Sequence, residues 1–124
     1  MGASKIVWVG RVISVLAALM FVFSAFIKLA GLWDVGKEIA RLGLRDSMLF
    51  PLGLLELSCA VIYLIPPAAV LGAVMLTGYL GGAILTHWRI ADPIWGPLLL
   101  GGFVWLGIYL REDRLKALLP FRRS

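Results

Sequence analysis

Pro51-Leu-Gly53-Leu-Leu-Glu56-Leu-Ser-Cys59-Ala-Val-Ile-Tyr63-Leu-Ile65, closed by Pro66-Pro67, is apolar almost throughout and carries a single acid. A run of this length and hydropathy is a helix built to cross lipid. At 1.5 Å of rise per residue Glu56 lies roughly 7–8 Å beyond Pro51 along that helix. An ionisable group at such depth costs about 2.5–3.5 kcal/mol on insertion scales, so the carboxylate needs a partner. On the same wheel Gly53, Cys59, Ala60 and Tyr63 fall within about 60° of Glu56, which gives the helix one polar face.

The rest of the chain has the same texture. Of 124 residues 61% are hydrophobic, and the mean hydropathy is +0.96. Soluble domains hold about 45–50% apolar residues, and a domain this small buries too little surface to hide the excess. The sequence therefore predicts an all-α integral membrane protein, a single domain of four antiparallel transmembrane helices. The expected spans are residues 6–30, 49–65, 68–88 and 95–110, followed by a basic tail at 111–124. A cleaved signal peptide is the competing reading of the first run, with Lys5 ahead of it and Ser24-Ala25-Phe26 near its end. Arg11 interrupts that run, and no polar mature sequence follows it, so a retained span is expected.

Between the first two spans, Leu32, Val35, Ile39 and Leu42 recur at helical spacing among Asp34, Lys37, Glu38, Arg41 and Arg45. That pattern predicts a short amphipathic helix over 32–44 at the membrane interface, anchored by Trp33; an irregular charged loop is the alternative. On the first span Gly10, Ser14, Ala17, Phe21 and Ser24 lie within about 40° of Lys28, a stripe of mostly small residues that points Lys28 toward protein. Gly78-Tyr-Leu-Gly-Gly82 in the third span has GxxxG spacing and predicts close helix packing, within the chain or between copies in a homo-oligomer.

Four antiparallel spans place both termini on one side. Lys5, Arg11, Arg111, Arg114, Lys116, Arg122 and Arg123 lie there; Lys28, Lys37, Arg41, Arg45 and Arg89 lie on the other. The excess favours cytoplasmic termini in an inner membrane. The net charge of +5 suits anionic lipid headgroups, and the scatter of basic residues over helix ends argues against nucleic acid as a partner.

The same topology brings Lys28, Glu56, His87, Arg89 and Asp92 into one leaflet. An acid, a lysine and a histidine there are candidates for catalysis by proton transfer, and with Cys59, Tyr63, Arg89 and Asp92 for ligand binding. Structural pairing of Lys28 with Glu56 is the other reading, and the two are compatible. His87 sits opposite Gly78 and Gly82 on its wheel, so an inward glycine face would turn it away from the cluster. One histidine and one cysteine, without fixed ligand spacing, give no metal motif.

Phe23-Ser-Ala-Phe-Ile-Lys28-Leu, Ile39-Ala-Arg-Leu-Gly43-Leu, Pro51-Leu-Gly53-Leu-Leu-Glu56-Leu and Gly78-Tyr-Leu-Gly-Gly-Ala-Ile-Leu-Thr-His87 together resemble the DoxX-like membrane proteins. The resemblance runs from about Arg11 to Pro120. It implies a four-helix membrane bundle, an association with sulfur oxidation through quinone or with membrane redox complexes and their partner enzymes, and Lys28, Glu56 and His87 as site residues. No cofactor motif accompanies it. Three readings follow: an accessory subunit of a membrane redox or stress-response system, a small membrane enzyme moving a proton on a lipophilic substrate, and a structural packing partner of another membrane protein.

Overall fold

The computed structural model describes residues 2–122; Met1, Arg123 and Ser124, the last two part of the expected basic tail, lie outside the described residues. Six α-helices account for most of the chain, and no strand occurs among the described residues. They are α1 (Gly2–Ala30), α2 (Val35–Arg41), α3 (Leu49–Leu64), α4 (Ala69–Arg89), α5 (Trp95–Arg111) and α6 (Asp113–Lys116). The four long ones match the expected apolar runs to within one residue, except that α1 starts four residues earlier.

The punctuation follows proline geometry. Ile65, which precedes Pro66, takes an extended conformation with ψ of 114°, as the proline ring demands, and α3 ends there. Pro66–Ala68 then make one 3-10 turn into α4. Pro51 and Pro97 each occupy the third position of their helix, where a missing N–H leaves no bond unmade.

The long helices pack in a ring: α1 lies on α3 and α5, and α4 on α3 and α5. The inside is built from small side chains, with Ala17, Ala18, Ala25, Ala60 and Ala73 all buried, while Leu16, Leu19, Met20, Phe23 and Phe26 face out from α1. Large apolar groups outside and small ones inside invert the order of a soluble core, and this is how helices approach each other where lipid is the solvent. Among the described residues three stretches are long and apolar enough to cross a membrane: Ser4–Ala30, Asp46–Leu64 and Pro66–Arg89. Helix α5 has 17 residues, about 25 Å at 1.5 Å per residue, somewhat less than a hydrocarbon core of about 30 Å.

Two sequence expectations change. The amphipathic segment is helical only over Val35–Arg41, a seven-residue piece with Ile39 buried beneath it. Gly31, Trp33 and Asp34 before it, and Gly43 after it, have positive φ, which no helix accommodates. Gly78 and Gly82 make no close contact within the chain, for a Cβ at either would meet nothing within 4 Å. The tight crossings lie elsewhere. At Gly10 an added Cβ would sit 2.8 Å from the Gly107 carbonyl, and at Gly72 it would sit 2.4 Å from the backbone of Tyr63. Since backbone cannot swing aside, Gly72→Ala should lower stability by about 1–3 kcal/mol by prising α4 from α3. Thermal unfolding in detergent, followed by tryptophan fluorescence, measures it; an unchanged midpoint would mean that the crossing is looser than described.

Candidate functional site

The ring is closed at one end and open at the other. At the end where α1 begins and α5 finishes, Tyr63 is fully buried; its hydroxyl donates to the Val104 carbonyl at 2.6 Å, with Ser14 Oγ 3.1 Å from the phenol oxygen. The Arg111 guanidinium lies 4.8 Å from the centre of the Tyr63 ring and donates to the Tyr63 carbonyl at 2.8 Å. Toward the other end the helices enclose a cavity of about 820 Å3, with α2 and the segment after it forming part of its wall. Leu52, Leu55, Leu80, Leu99, Leu100 and Phe103 make much of that wall apolar.

A sunken ion pair sits in this mostly apolar wall. Lys28 Nζ lies 3.0 Å from Glu56 Oε1 and donates to Ser24 Oγ at 2.7 Å, and the serine hydroxyl in turn donates to Glu56 Oε1 at 3.1 Å. The carboxylate side chain is 4% exposed and the lysine 19%, so the pair is sunk but open on the lysine side. Spacing explains the geometry: Ser24 and Lys28 are one turn apart on α1, and Gly53, one turn before Glu56 on α3, brings α3 onto Ala25 and Leu29. The Tyr79 ring lies beside the Glu56 carboxylate and also lines the cavity.

A second polar group lies over the cavity's outer end. Arg41 reaches from α2 to Asp92 in the α4–α5 loop, with Nη1 3.0 Å from Oδ1 and Nη2 2.8 Å from Oδ2. Glu38 holds the same guanidinium from within α2. His87 Nδ1 is 3.0 Å from Asp92 Oδ2, and because an ionised carboxylate only accepts, Nδ1 carries the proton. Arg89 donates to the Leu42 carbonyl, and Gly43 beside it has φ of 83° with an Arg89 nitrogen where a Cβ would point. Two arginines thus fasten α2 to the end of α4.

Hydrogen bonds from Arg41 and, second, from His87 hold the Asp92 carboxyl well below its usual range, at about 2. The bond from Arg41 likewise holds Glu38 low, and both carboxylates hold the guanidinium protonated. A depressed folded-state value favours the ionised form. The stabilisation is therefore complete above the ordinary carboxylate value and is lost as pH falls through about 2. The distance between spin labels at Lys37 and Trp88 should stay constant from pH 7 to pH 4, and Asp92→Asn should broaden it at neutral pH. A distribution that widens already at pH 5, or an unaltered one in the variant, would count against this fastening.

The expected site residues divide accordingly. Lys28 and Glu56 meet, and Gly78, Gly82 and His87 of α4 all line the same cavity. Asp92 and Arg89 belong to the α2 attachment. Cys59 and Tyr63 are buried in the helix core and do not line the cavity. Among the described residues no group of three or more His, Cys, Asp or Glu is placed to hold a metal ion. Ser24, Tyr79 and Arg41 join the site without having been singled out for it. Ser24 was signalled by its position one turn before Lys28, whereas the Arg41–Asp92 contact spans 51 residues of sequence and left no local sign.

The family model of the DoxX-like proteins matches residues 12–109, which takes in α1 from Val12 onward, α2 to α4 whole and α5 almost whole. The chain belongs to the DoxX-like family. No curated protein and no solved structure matches it. Family membership and the three long apolar helices make this DoxX-like chain a multi-pass membrane protein.

Proposed function

We propose that this DoxX-like protein is a four-span inner-membrane protein with cytoplasmic termini, holding a lipophilic ligand as an accessory subunit of a membrane redox or stress-response system. The observation that carries the ligand reading is the Lys28–Glu56 pair set into the wall of a mostly apolar cavity. Pockets for small molecules commonly enclose about 300–1,000 Å3, are mostly apolar and carry a few convergent polar groups. The redox or stress-response role rests on the family resemblance.

Helix α5 is the fourth span in this reading. It is packed between α1 and α4, both long enough to cross, and carries apolar residues on its outer face. Trp33, Trp88 and Trp95, all exposed, form an aromatic belt at the level of the cavity end. A reporter fused after Ser124 should be active only if it requires the cytoplasm; activity of a periplasm-dependent reporter there would reverse the orientation.

The quinone that the resemblance implies fits the site only in part. Apolar walls suit its ring and tail, and Lys28 could donate to one carbonyl, but a quinone has no proton to offer the carboxylate beside it. Purification in mild detergent followed by mass spectrometry tests the ligand reading. A lipophilic molecule should accompany the natural protein and be absent from the Lys28→Met/Glu56→Gln double variant. Bulk lipids alone, equal in both preparations, would overturn it.

A further inference from the structure

Hydrogen-bond accounting at the Lys28–Glu56 pair leaves two groups unspent. A lysine ammonium has three N–H donors, and Lys28 uses two, on Ser24 Oγ and Glu56 Oε1. Both bonds to the Glu56 carboxylate, from Lys28 and from Ser24, fall on Oε1. No hydrogen bond within 3.5 Å reaches Oε2 among the described residues, although the Tyr79 hydroxyl approaches the same carboxylate; no buried side-chain oxygen there is both sealed and unpaired, so Oε2 keeps an opening toward the cavity. Both residues line the cavity, as does Tyr79. The cavity wall therefore offers one charged donor and one charged acceptor side by side, with no net charge between them.

We infer that the cavity selects an uncharged amphipath with a hydroxyl head, one that accepts from Lys28 Nζ and donates to Glu56 Oε2. This deepens the ligand reading proposed above and rests on it. A carboxylate head would satisfy the lysine but set a second negative charge against Glu56. An ammonium head would do the reverse against Lys28. Like charges at such distances in a low-dielectric wall are disfavoured. A ketone accepts from Lys28 and leaves Oε2 dry. Of these four heads only a hydroxyl does both, because one oxygen carries a proton and two lone pairs. The tail lies along the apolar wall, where Gly78 and Gly82 leave room that any larger side chain would take.

Native mass spectrometry of the full chain, released from micelles holding equal amounts of 1-tetradecanol, 2-tetradecanone, tetradecanoate and tetradecylammonium, decides among these heads. The tails match, so only the head differs. The alcohol adduct should exceed each of the other three by about tenfold, as one hydrogen bond to a charged group warrants. It should fall by at least that factor in Gly78→Leu/Gly82→Leu. That variant adds side chains where a Cβ meets nothing within 4 Å, so it folds while filling the cavity, and its unfolding midpoint checks this. Ketone equal to alcohol, or preference for either ion, overturns the hydroxyl assignment and leaves the ligand reading standing. No adduct from any probe, or an alcohol adduct undiminished in the glycine variant, overturns both.

Discussion

Lys28→Met and Glu56→Gln are each expected to destabilise the protein in detergent by about 3–5 kcal/mol, and the double variant by clearly less than the sum. Each single change leaves the other group without its counter-charge in a wall whose remaining members are largely apolar. The orphan then bears the desolvation cost that the pair shares. The two losses differ in size. Glu56 is the more deeply sunk, so Lys28→Met, which strands the carboxylate, should cost more than Glu56→Gln, which strands a lysine already open to the cavity. Ser24 softens the first loss by continuing to donate to Oε1. In the double variant no orphan remains, and stability should return part of the way while the accompanying lipophilic molecule stays lost. Thermal unfolding of the four proteins closes the cycle. Strictly additive losses would mean that the two side chains do not interact in solution.

The pair itself was legible before any coordinates, for a physical reason. Depth in an apolar run forces an acid to find a partner, and antiparallel spans leave few candidates at the same level. The Lys28 stripe was legible too, since Gly10, Ser14, Ala17 and Phe21 all turn out buried. Two things were not. A GxxxG spacing records only that small residues share a face; whether a helix or an empty space lies opposite depends on neighbours far away in sequence, and at Gly78 and Gly82 it is the cavity. The charged segment around α2 has a helical apolar period, but periodicity ignores the positive φ values at Trp33 and Asp34 that shorten it. Its attachment through Arg41 to Asp92 depends on where the α4–α5 loop falls in space, which no spacing rule contains.

The closed end of the ring gives the other large effect. Tyr63→Ala should cost about 3–5 kcal/mol, whereas Tyr63→Phe should cost only about 1 kcal/mol. The ring is fully buried, and in a membrane the truncated residue gains nothing by exchanging water for lipid, so the loss comes from the cavity and the vanished dispersion contacts. Collapse is hindered on two sides. Gly72 already rests on the Tyr63 backbone and cannot move nearer, and Arg111 is tied to the Tyr63 carbonyl with its guanidinium over the ring. Removing the ring leaves that half-buried charge facing a void. The hydroxyl matters less, because Ser14 Oγ still donates to the Gly10 carbonyl and Val104 keeps its helical partner when the phenol is gone. If packing of the ring locks α3 to α5, the two substitutions separate by at least 2 kcal/mol in unfolding measurements. Equal losses would show instead that the hydroxyl network of Ser14, Tyr63 and Val104 holds the closed end, and that the ring is a passenger.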